Sequence, residues 1–252
     1  MNVVLIMAKE GSLGLPGKNI RKIEGRSLLE WTILDAKKSK TVDLVLVSTN
    51  GKKTARLSQK AGAEVIMRDD ELAKNEKFME AVDEAMRIIK GKYPQLKHIA
   101  IPQCVVPFRD PDIFDRCFTF LMGHPDYDSV VTIRRTPFIP EATMKIEGEN
   151  LIPYFPESQK NVSGSRQNSQ GYEIDHTVEC FTYQSWLNRK DGIKPWDYLG
   201  KKIKGIAQNY HNPNCFVDVH TINDIRWLEF LVKHLGYKGM KRAKDKIEGF
   251  HI

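Results

Sequence analysis

Short apolar runs alternate with helical patterns along this chain, and this alternation constrains its fold more than any other feature. Strands are predicted at 3–7, 43–49, 63–67, 98–103 and 129–133, and amphipathic helices at 28–36, 54–61, 76–89 and 112–122. Repeated β-α-β units of this length predict an α/β fold, with a mostly parallel sheet and helices on both faces. Ligands of such sheets bind where the strands end, so the loop after the first strand, Thr49-Asn50 and Gln103 are expected together.

The alternation breaks over residues 136–172, which contain several prolines and a long polar run. This stretch is predicted to be an inserted β-hairpin arm with long loops, because a second domain would need more regular elements. Strand character returns at 177–182, 204–207 and 216–221, before a closing helix at 223–234. The basic stretch 237–252 is predicted to be a C-terminal tail. Residues 1–252 are therefore expected to form a single domain that carries one arm.

Composition indicates a globular protein with a reducing environment. The 252 residues are 41% hydrophobic and 28% charged, and the first strand begins almost at the N-terminus. No run approaches the roughly 20 apolar residues of a membrane span, and no leader pattern precedes the strand. The four cysteines are widely spaced, which favours reduced thiols over disulfides or a zinc site. We expect a cytoplasmic protein that does not interact with membranes.

The net charge of +7 indicates that the protein binds an anionic partner. A nucleic-acid-binding surface would concentrate Lys and Arg in a stripe with interleaved aromatic residues. Here the surplus is scattered, apart from the basic tail. An enzyme with anionic substrates is the favoured interpretation, because positive clefts attract such molecules. Nucleic acid remains the alternative and is not the expected partner.

The loop after the first strand has the composition of a polyphosphate site. It carries Gly11, Gly14 and Gly17 together with Lys9 and Lys18. Glycines let backbone N–H groups approach phosphate oxygens, and a lysine adds positive charge. The spacing fits neither the Walker A loop nor the dinucleotide-binding fingerprint. A nucleotide site is therefore predicted, with an ordinary glycine-rich turn as the alternative.

Five segments, in order along nearly the whole chain, carry a resemblance to a known family. They are 8–19 (Ala-Lys-Glu-Gly-Ser-Leu-Gly-Leu-Pro-Gly-Lys-Asn), 68–73, 101–109, Arg166-Gln167 and 217–221. They resemble signatures of the cytidylyltransferases that activate acidic sugars, the CMP-N-acetylneuraminate synthetases and their relatives for legionaminic, pseudaminic and Kdo-type acids. The resemblance implies a Rossmann-like nucleotidyltransferase fold. It also implies transfer of CMP from CTP to a sugar hydroxyl, with release of pyrophosphate.

The resemblance and the loop chemistry together give a set of nucleotide-binding residues. Catalysis of such transfers depends mainly on positioning and on neutralising phosphate charge. Lys18 is assigned a catalytic role on the triphosphate, with an exposed loop lysine as the alternative. Arg68 could instead be a surface residue that pairs with Asp69 or Asp70. The complete predicted nucleotide-binding set is Lys9, Gly11, Ser12, Lys18, Asn19 and Arg68.

The predicted metal site departs from the family pattern. The family holds Mg²⁺ with two aspartates one residue apart, which share a face when they lie in a strand. Here Asp218 matches the first and is assigned a catalytic role as well as a metal-binding one, but His220 stands in place of the second. Imidazole is a better ligand for Mn²⁺, Co²⁺ or Zn²⁺. Mg²⁺ held by Asp218 is the favoured interpretation; a softer metal, weakened catalysis, and His220 as a helix cap are the alternatives.

Other departures concern the loop and the acceptor. Glu10 and Leu13 replace a glycine and a lysine of the signature, so the loop loses a cation and gains a carboxylate. Glu10 either faces the triphosphate, with other cations compensating, or points away from it. Val105-Val106 stands where Thr-Ser is usual, which argues for an acceptor other than N-acetylneuraminate.

Acceptor binding is assigned by resemblance to Gln103 and to the arm. In the family an arm lysine and arginine reach the carboxylate bound by the partner subunit, and the matching positions are Lys145 and Arg166. An arginine suits a carboxylate because its planar fork donates two parallel hydrogen bonds. This arrangement implies a homodimer. Exposed arm residues without a ligand are the alternative.

The resulting hypothesis is a Mg²⁺-dependent cytidylyltransferase that acts on an acidic sugar. Three alternatives remain: a phosphonate as the acceptor, another nucleotide such as GTP, and a weakly catalytic nucleotide-binding paralogue.

Overall fold

The computed structural model describes residues 1–11, 14–107, 109–136, 139–157, 171–208 and 217–235. Ser12, Arg166 and the tail at 237–252 lie outside the described residues. The strands are β1 (Asn2–Met7), β2 (Lys22–Ile23), β3 (Arg26–Ser27), β4 (Leu44–Thr49), β5 (Glu64–Met67), β6 (His98–Ile101), β7 (Ser129–Arg135), β8 (Met144–Glu147), β9 (Asn150–Pro153), β10 (Tyr172–Thr182) and β11 (Ile203–Ala207). The α-helices are α1 (Leu28–Lys38), α2 (Lys52–Lys60), α3 (Phe78–Lys92), α4 (Ile113–Gly123), α5 (Tyr183–Leu187) and α6 (Ile222–Leu235).

Seven strands form the central sheet, in the order β11-β7-β10-β6-β1-β4-β5. All neighbouring pairs are parallel except those of β10, which runs antiparallel to both β6 and β7. The predicted α/β fold with a mostly parallel sheet is therefore confirmed. The antiparallel strand follows the inserted arm, which reverses the chain direction between β7 and β10.

Both faces of the sheet are covered by helices because β1 is apolar on both sides. Val4 and Ile6 pack in one cluster with residues of α1 and α4. Val3 and Leu5 pack in a second cluster with residues of α3. A strand that is buried on both faces has no polar alternation, as expected for a central strand of a parallel sheet. The prediction of helices on both faces is confirmed.

The first helix begins where the sequence predicts. The Ser27 side chain accepts a hydrogen bond from the Glu30 amide, and the Glu30 carboxylate accepts one from the Ser27 amide. This reciprocal capping box satisfies two backbone donors that the helix itself leaves unpaired.

The predicted strand at 216–221 is wrong for the residues that are described, because 217–220 form no strand. Val217 and Val219 are buried, and this apolar alternation imitates a strand. They instead pack in a third cluster with residues of α6 and with Val105 and Val106. A single backbone hydrogen bond, from the Val219 amide to the Val105 carbonyl at 2.9 Å, attaches the segment to the turn after β6.

The predicted arm contains a hairpin made by β8 and β9, which pair with each other in a separate two-stranded sheet. Gly148 has a φ of 63° at the hairpin turn, a conformation that glycine adopts without strain. β10 begins at Tyr172, earlier than the strand predicted at 177–182, and its register shifts between Ile174 and Glu179. Among the described residues, no helix has the length and apolarity needed to cross a membrane.

Candidate active site

A cleft of about 460 Å³ lies at the carboxyl end of the parallel strands. The predicted site residues that line it are Lys9, Lys18, Asn19, Arg68 and Gln103. They come from the loop after β1, from the end of β5 and from the end of β6. The sheet topology therefore brings together residues that are distant in sequence, as expected for a doubly wound sheet.

Two side chains hold the loop after β1: Asn19 bonds within the loop, and Lys9 bonds across the cleft. Asn19 donates a hydrogen bond from Nδ2 to the Lys9 carbonyl at 3.2 Å. The Lys9 ammonium donates to the Asn75 side chain across the cleft. Gly11 and Gly17 both have positive φ, 80° and 66°, which explains why the loop needs glycine at these two positions. The loop is thus shaped by its own contacts, and Lys9 and Asn19 face the cleft.

Lys18 connects this loop to the segment before α6. Its ammonium donates a hydrogen bond to the Val219 carbonyl at 3.1 Å. Burial lowers the pKa of Lys18, and the nearby Asp218 carboxylate opposes that shift. Lys18 therefore holds a partly desolvated positive charge beside Asp218. Such a charge acts more strongly on a phosphate than a fully hydrated one, because the local dielectric is lower.

Arg68 is buried rather than exposed, with 8% of its surface accessible. Its Nη1 donates to the Ser48 hydroxyl at 3.4 Å, and its buried Nε has no protein partner. Burial lowers its pKa, with Glu84 opposing. The alternative of a surface ion pair with Asp69 or Asp70 does not describe this side chain. A buried guanidinium with an unpaired donor at the edge of a cleft is available to an anionic ligand.

Glu10 points toward α2 and does not line the cleft. Its amide donates to Asn50 Oδ1 at 2.9 Å, and its carboxylate accepts from the Thr54 hydroxyl at 3.4 Å. A Cβ placed on Gly51, the N-cap of α2, would lie 2.0 Å from the Glu10 carboxyl carbon. The carboxylate thus occupies the positive end of a helix dipole. Of the two orientations considered for Glu10, the structure has the one that faces away.

Asp218 and His220 come together although they do not lie in a strand. His220 Nε2 lies 2.9 Å from Asp218 Oδ2, while Asp218 Oδ1 is buried with no hydrogen-bond partner. His220 is not the helix cap, because Thr221 and Asp224 cap α6 through mutual side-chain to amide hydrogen bonds. No group of three or more His, Cys, Asp or Glu side chains suited to a metal occurs in the described part of the chain.

The donor set at Asp218 nevertheless fits a divalent cation that is shared with a polyphosphate. Mg²⁺ usually takes one or two carboxylates from the protein and fills its remaining positions with phosphate oxygens and water. The orphaned Oδ1 supplies one such ligand. The imidazole of His220, which is 66% exposed, would add a nitrogen donor that suits Mn²⁺ better than Mg²⁺.

Arg109 holds the turn that carries Gln103. Its Nη2 donates to the carbonyls of Gln103 at 3.1 Å and Val106 at 2.8 Å, and its Nη1 lies 3.5 Å from Asp35 Oδ2. The resemblance marked Arg109 as part of a motif, and the structure gives it this supporting role. Val105 lines the cleft, whereas Val106 is fully buried in the third cluster. Only the first of these two valines therefore faces a ligand.

Three residues that the sequence analysis did not single out also line the cleft: His176, Glu179 and Tyr198. His176 Nδ1 lies 2.5 Å from Glu179 Oε1, and the Tyr198 hydroxyl donates to Glu179 Oε2. The hydrogen bond with Glu179 raises the pKa of His176, and burial partly opposes it. Their pairing depends on the positive φ of His176 and on the register of β10 with β6, and neither leaves a pattern in the sequence.

Lys145 does not reach the cleft of its own chain. It lies on β8, half exposed, and its ammonium is 3.7 Å from Glu147 Oε1 on the same strand. Its predicted contact with the acceptor of a partner subunit stays a prediction, as does that of Arg166.

Comparison with known proteins bears on the family resemblance. A family model described as "Cytidylyltransferase" matches residues 3–100, which include the loop after β1, Arg68 and the start of β6. The resemblance to cytidylyltransferases is confirmed. The chain is 27% identical to an N-acylneuraminate cytidylyltransferase of Escherichia coli over 154 residues, which are 61% of this chain and 36% of that relative. The match thus spans about a third of that relative's length.

Two further similarities cover nearly the whole chain. A pseudaminic acid cytidylyltransferase of Campylobacter jejuni is 23% identical over 235 residues, 92% of this chain and 96% of the relative. A solved CMP:2-keto-3-deoxy-manno-octonic acid synthetase in complex with CTP has a TM-score of 0.67 at 13% identity, covering 92% of this chain and 98% of that one. At this identity the structural likeness establishes the fold alone. It agrees with the predicted nucleotidyltransferase fold.

Proposed function

We propose that this chain transfers CMP from CTP to a hydroxyl of an acidic sugar and releases pyrophosphate. The observation that carries the proposal is the cleft itself. The cleft brings Lys9, Lys18 and Arg68 together near the end of β1, which lies within the residues that the family model matches. The names of the relatives support an acidic sugar as the acceptor.

The loop and Lys18 would bind the triphosphate. Phosphate transfer needs its charge neutralised and its atoms held in line, and fixed donors do both at little reorganisation cost. Lys18 is held by Val219 and partly desolvated, so its charge is directed before the ligand arrives. The unpaired Nε of Arg68 offers a second directed donor. Lys9 would add a third charge, from an ammonium that donates to Asn75 across the cleft.

A divalent cation, Mg²⁺ or Mn²⁺, is proposed as the cofactor. Asp218 would hold it, with His220 as a neighbouring donor. When bound, the cation would neutralise charge on the phosphate oxygens. Asp218 lies close enough to Lys18 to affect its pKa, so the two groups would act on the same region of the nucleotide.

The acceptor would lie on the Gln103 side of the cleft. Gln103 is fixed by Arg109 and lies beyond the end of β6. A homodimer in which the hairpin arm reaches the partner cleft is part of the proposal, and so is a cytoplasmic location. Exposed apolar side chains on the hairpin, Ile146 at 78% and Leu151 at 64%, are consistent with an arm that packs against another chain.

A nucleotide panel followed by a turnover assay tests this function. Thermal stability is measured with CTP, GTP, ATP and UTP, with and without Mg²⁺ or Mn²⁺. A ligand at about 100 times its Kd adds about 2.7 kcal/mol of stability. We expect a shift selective for CTP, followed by CTP-dependent pyrophosphate release with N-acetylneuraminate, pseudaminate, legionaminate, Kdo or a phosphonate.

Each contrary result identifies an alternative. A GTP-selective shift would indicate another nucleotide. A CTP-selective shift without release on any acceptor and with any metal would indicate a nucleotide-binding paralogue. The absence of a shift in thermal stability with every nucleotide would indicate that the glycine-rich loop is an ordinary turn.

A further inference from the structure

The His176–Glu179 pair lies on the acceptor side of the cleft. Glu179 is the register partner of Ile101, the last residue of β6, and Gln103 follows two positions later. Lys9 and Arg68 come from the loops after β1 and β5, which lie on the other side of β6 in the sheet order. The pair therefore flanks Gln103 rather than the region proposed for the triphosphate.

Within the described part of the chain, one ring nitrogen of His176 has a hydrogen-bond partner and the other has none. Nδ1 lies 2.5 Å from Glu179 Oε1, and Glu179 is 5% exposed. The second carboxylate oxygen accepts a hydrogen bond from the Tyr198 hydroxyl, so both oxygens of Glu179 have partners inside the protein. The Glu179 carboxylate therefore orients the imidazole ring of His176. The side chain of His176 lines the cleft and is 33% exposed, and Nε2 is the ring nitrogen that Glu179 does not engage.

The backbone at His176 is fixed in an uncommon conformation. Its φ is +57°, in the left-handed region, and the register of β10 shifts there. The Thr177 amide donates to Asp175 Oδ1 at 2.9 Å, and Gln208 Nε2 donates to Asp175 Oδ2 at 3.1 Å. Asp175 is itself buried. Non-glycine residues in this conformation are uncommon and cluster at functional sites, where the surrounding structure imposes them.

The surroundings favour the charged form of the ring. Glu179 and Asp175 on β10 and Asp218 before α6 all raise the pKa of His176. The ring of Trp196, which also lines the cleft, has its centroid 5.8 Å away. This corner of the cleft therefore combines an oriented imidazole, whose protonated form is favoured by its neighbours, with the aromatic ring of Trp196. That combination suits a carboxylate attached to a partly apolar carbon skeleton.

We propose that His176, oriented by Glu179, donates a hydrogen bond from Nε2 to the acid group of the acceptor and so selects for acidic sugars. The assignment rests on the proposed function and adds a residue of this chain's own cleft to it. The acid group is thereby bound in cis, by the chain that binds the nucleotide. Glu179 acts through the ring and is a positioning residue.

The test uses the full-length chain and the variant His176→Asn. Asparagine tolerates the left-handed conformation, so the backbone is expected to keep its shape while the cation is lost. The KM for the acid acceptor is expected to rise about 10- to 100-fold, as for loss of a charge-assisted hydrogen bond, while the KM for CTP stays within about twofold. His124→Asn is the matched control, since His124 is exposed at the end of α4 and bonds only locally to the Phe120 carbonyl.

A second variant, Glu179→Gln, examines the positioning role. It keeps the shape of the side chain and removes the charge that orients the ring. The acceptor KM is expected to rise less than in His176→Asn, and the NMR titration midpoint of His176 is expected to fall. An unchanged midpoint together with an unchanged acceptor KM would contradict the role of Glu179.

The readouts separate this inference from the proposed function. If the wild type turns over an acid and His176→Asn leaves its KM unchanged, or lowers kcat alone, the inference is overturned. If the wild type turns over none, the proposed function fails, and the imidazole signals of His176 are followed while N-acetylneuraminate, pseudaminate and Kdo are added in turn. A shift of those signals that is absent for His124 would support an acid-binding site without transfer. No shift would overturn it.

Discussion

The ammonium of Lys18 donates a hydrogen bond to the carbonyl of Val219 at 3.1 Å, although 201 positions separate the two residues. This contact attaches the glycine-rich loop after β1 to the segment that carries Asp218 and His220. The Lys18 ammonium, proposed to bind phosphate, and the Asp218 carboxylate, proposed to bind a metal, are thereby held close together. The nucleotide half of the proposed site depends on this connection.

Replacing Lys18 tests that connection. Lys18→Met keeps most of the apolar stem and removes the charge, so CTP-dependent pyrophosphate release is expected to fall by about 100-fold or more. The thermal shift caused by CTP should also shrink. Lys53→Met on the exposed surface of α2 is the matched control and should behave as the wild type. Equal activity of the two variants would exclude Lys18 from the site.

The pair Asp218 and His220 predicts an altered metal preference. His220→Asp would provide a second carboxylate, so the Mg²⁺ concentration for half-maximal activity is expected to fall, by roughly tenfold. The ratio of activity with Mn²⁺ to activity with Mg²⁺ should fall as well, because the nitrogen donor is gone. His220→Asn separates loss of the imidazole from gain of the charge. A higher Mg²⁺ requirement in His220→Asp would contradict the assignment.

Glu10 is predicted to stabilise α2 without opposing the nucleotide. Glu10→Gln removes a carboxylate from the positive end of a helix, which is expected to lower the free energy of unfolding by about 0.3–1 kcal/mol. The Kd for CTP should change by less than about twofold, because the Glu10 carboxylate does not line the cleft and solvent ions screen its charge. Glu229→Gln, on the exposed face of α6, serves as control. Markedly tighter CTP binding by Glu10→Gln would show that Glu10 faces the triphosphate.

Arg109 is predicted to support both stability and the acceptor side of the cleft. Arg109→Met removes the buried guanidinium beside Asp35 and leaves this buried carboxylate with the exposed Lys38 as its ion-pair partner, 3.2 Å away. Breaking a buried ion pair costs about 3–5 kcal/mol of unfolding free energy, and Lys38 is expected to offset part of that cost. Chemical denaturation measures this change directly. Arg87→Met, on the exposed side of α3, should stay within about 0.5 kcal/mol of the wild type. A comparably small effect at Arg109 would argue against the buried ion pair.

The pKa of His176 predicts a pH-dependent contribution to stability. Its folded-state pKa is raised above the ordinary 6.5, mainly by Glu179, with Asp175 and Asp218 also contributing. The contribution is therefore complete below the unfolded pKa and is lost as pH rises through the higher folded value. The melting temperature of the wild type minus that of His176→Asn should therefore be larger at about pH 5.5 than at alkaline pH. A difference that grows toward alkaline pH would contradict this sign.

Much of the fold could be predicted because its signals are local. The apolar runs of β1 and β4 predict buried strands, and Ser27 with Glu30 predicts the start of α1 through the capping box. Each of these signals lies within the element that it predicts. The segment at 217–220 was mistaken for a strand because Val217 and Val219 alternate with polar residues. Their burial depends on α6 and the turn after β6, which are distant in sequence. Alternation of apolar and polar residues indicates that one face of a segment is buried. A β-strand also requires a neighbouring strand to pair with, which the alternation does not indicate.

Residues that line one side of the cleft could be named from the sequence, because Lys9, Lys18 and Asn19 belong to a glycine-rich loop and the resemblance indicates Arg68. Lys9, Lys18, Asn19 and Arg68 all line the cleft. The contribution of His176 could not, since it depends on a positive φ and on the pairing of β10 with β6. Neither condition leaves a pattern in the chain. The resemblance indicates Lys145 as an acceptor-binding residue, and this lysine lies on the hairpin and does not line the cleft of its own chain.

The most direct test of the central claim is detection of the product by mass spectrometry. The full-length chain is incubated with CTP, Mg²⁺ and each acidic sugar in turn, and pyrophosphate is quantified in the same samples. The proposed function predicts a CMP-sugar conjugate with one of the acids, in equimolar amount with the pyrophosphate and strongly reduced in Lys18→Met. Absence of any conjugate across the acids, with CTP recovered intact, would contradict it.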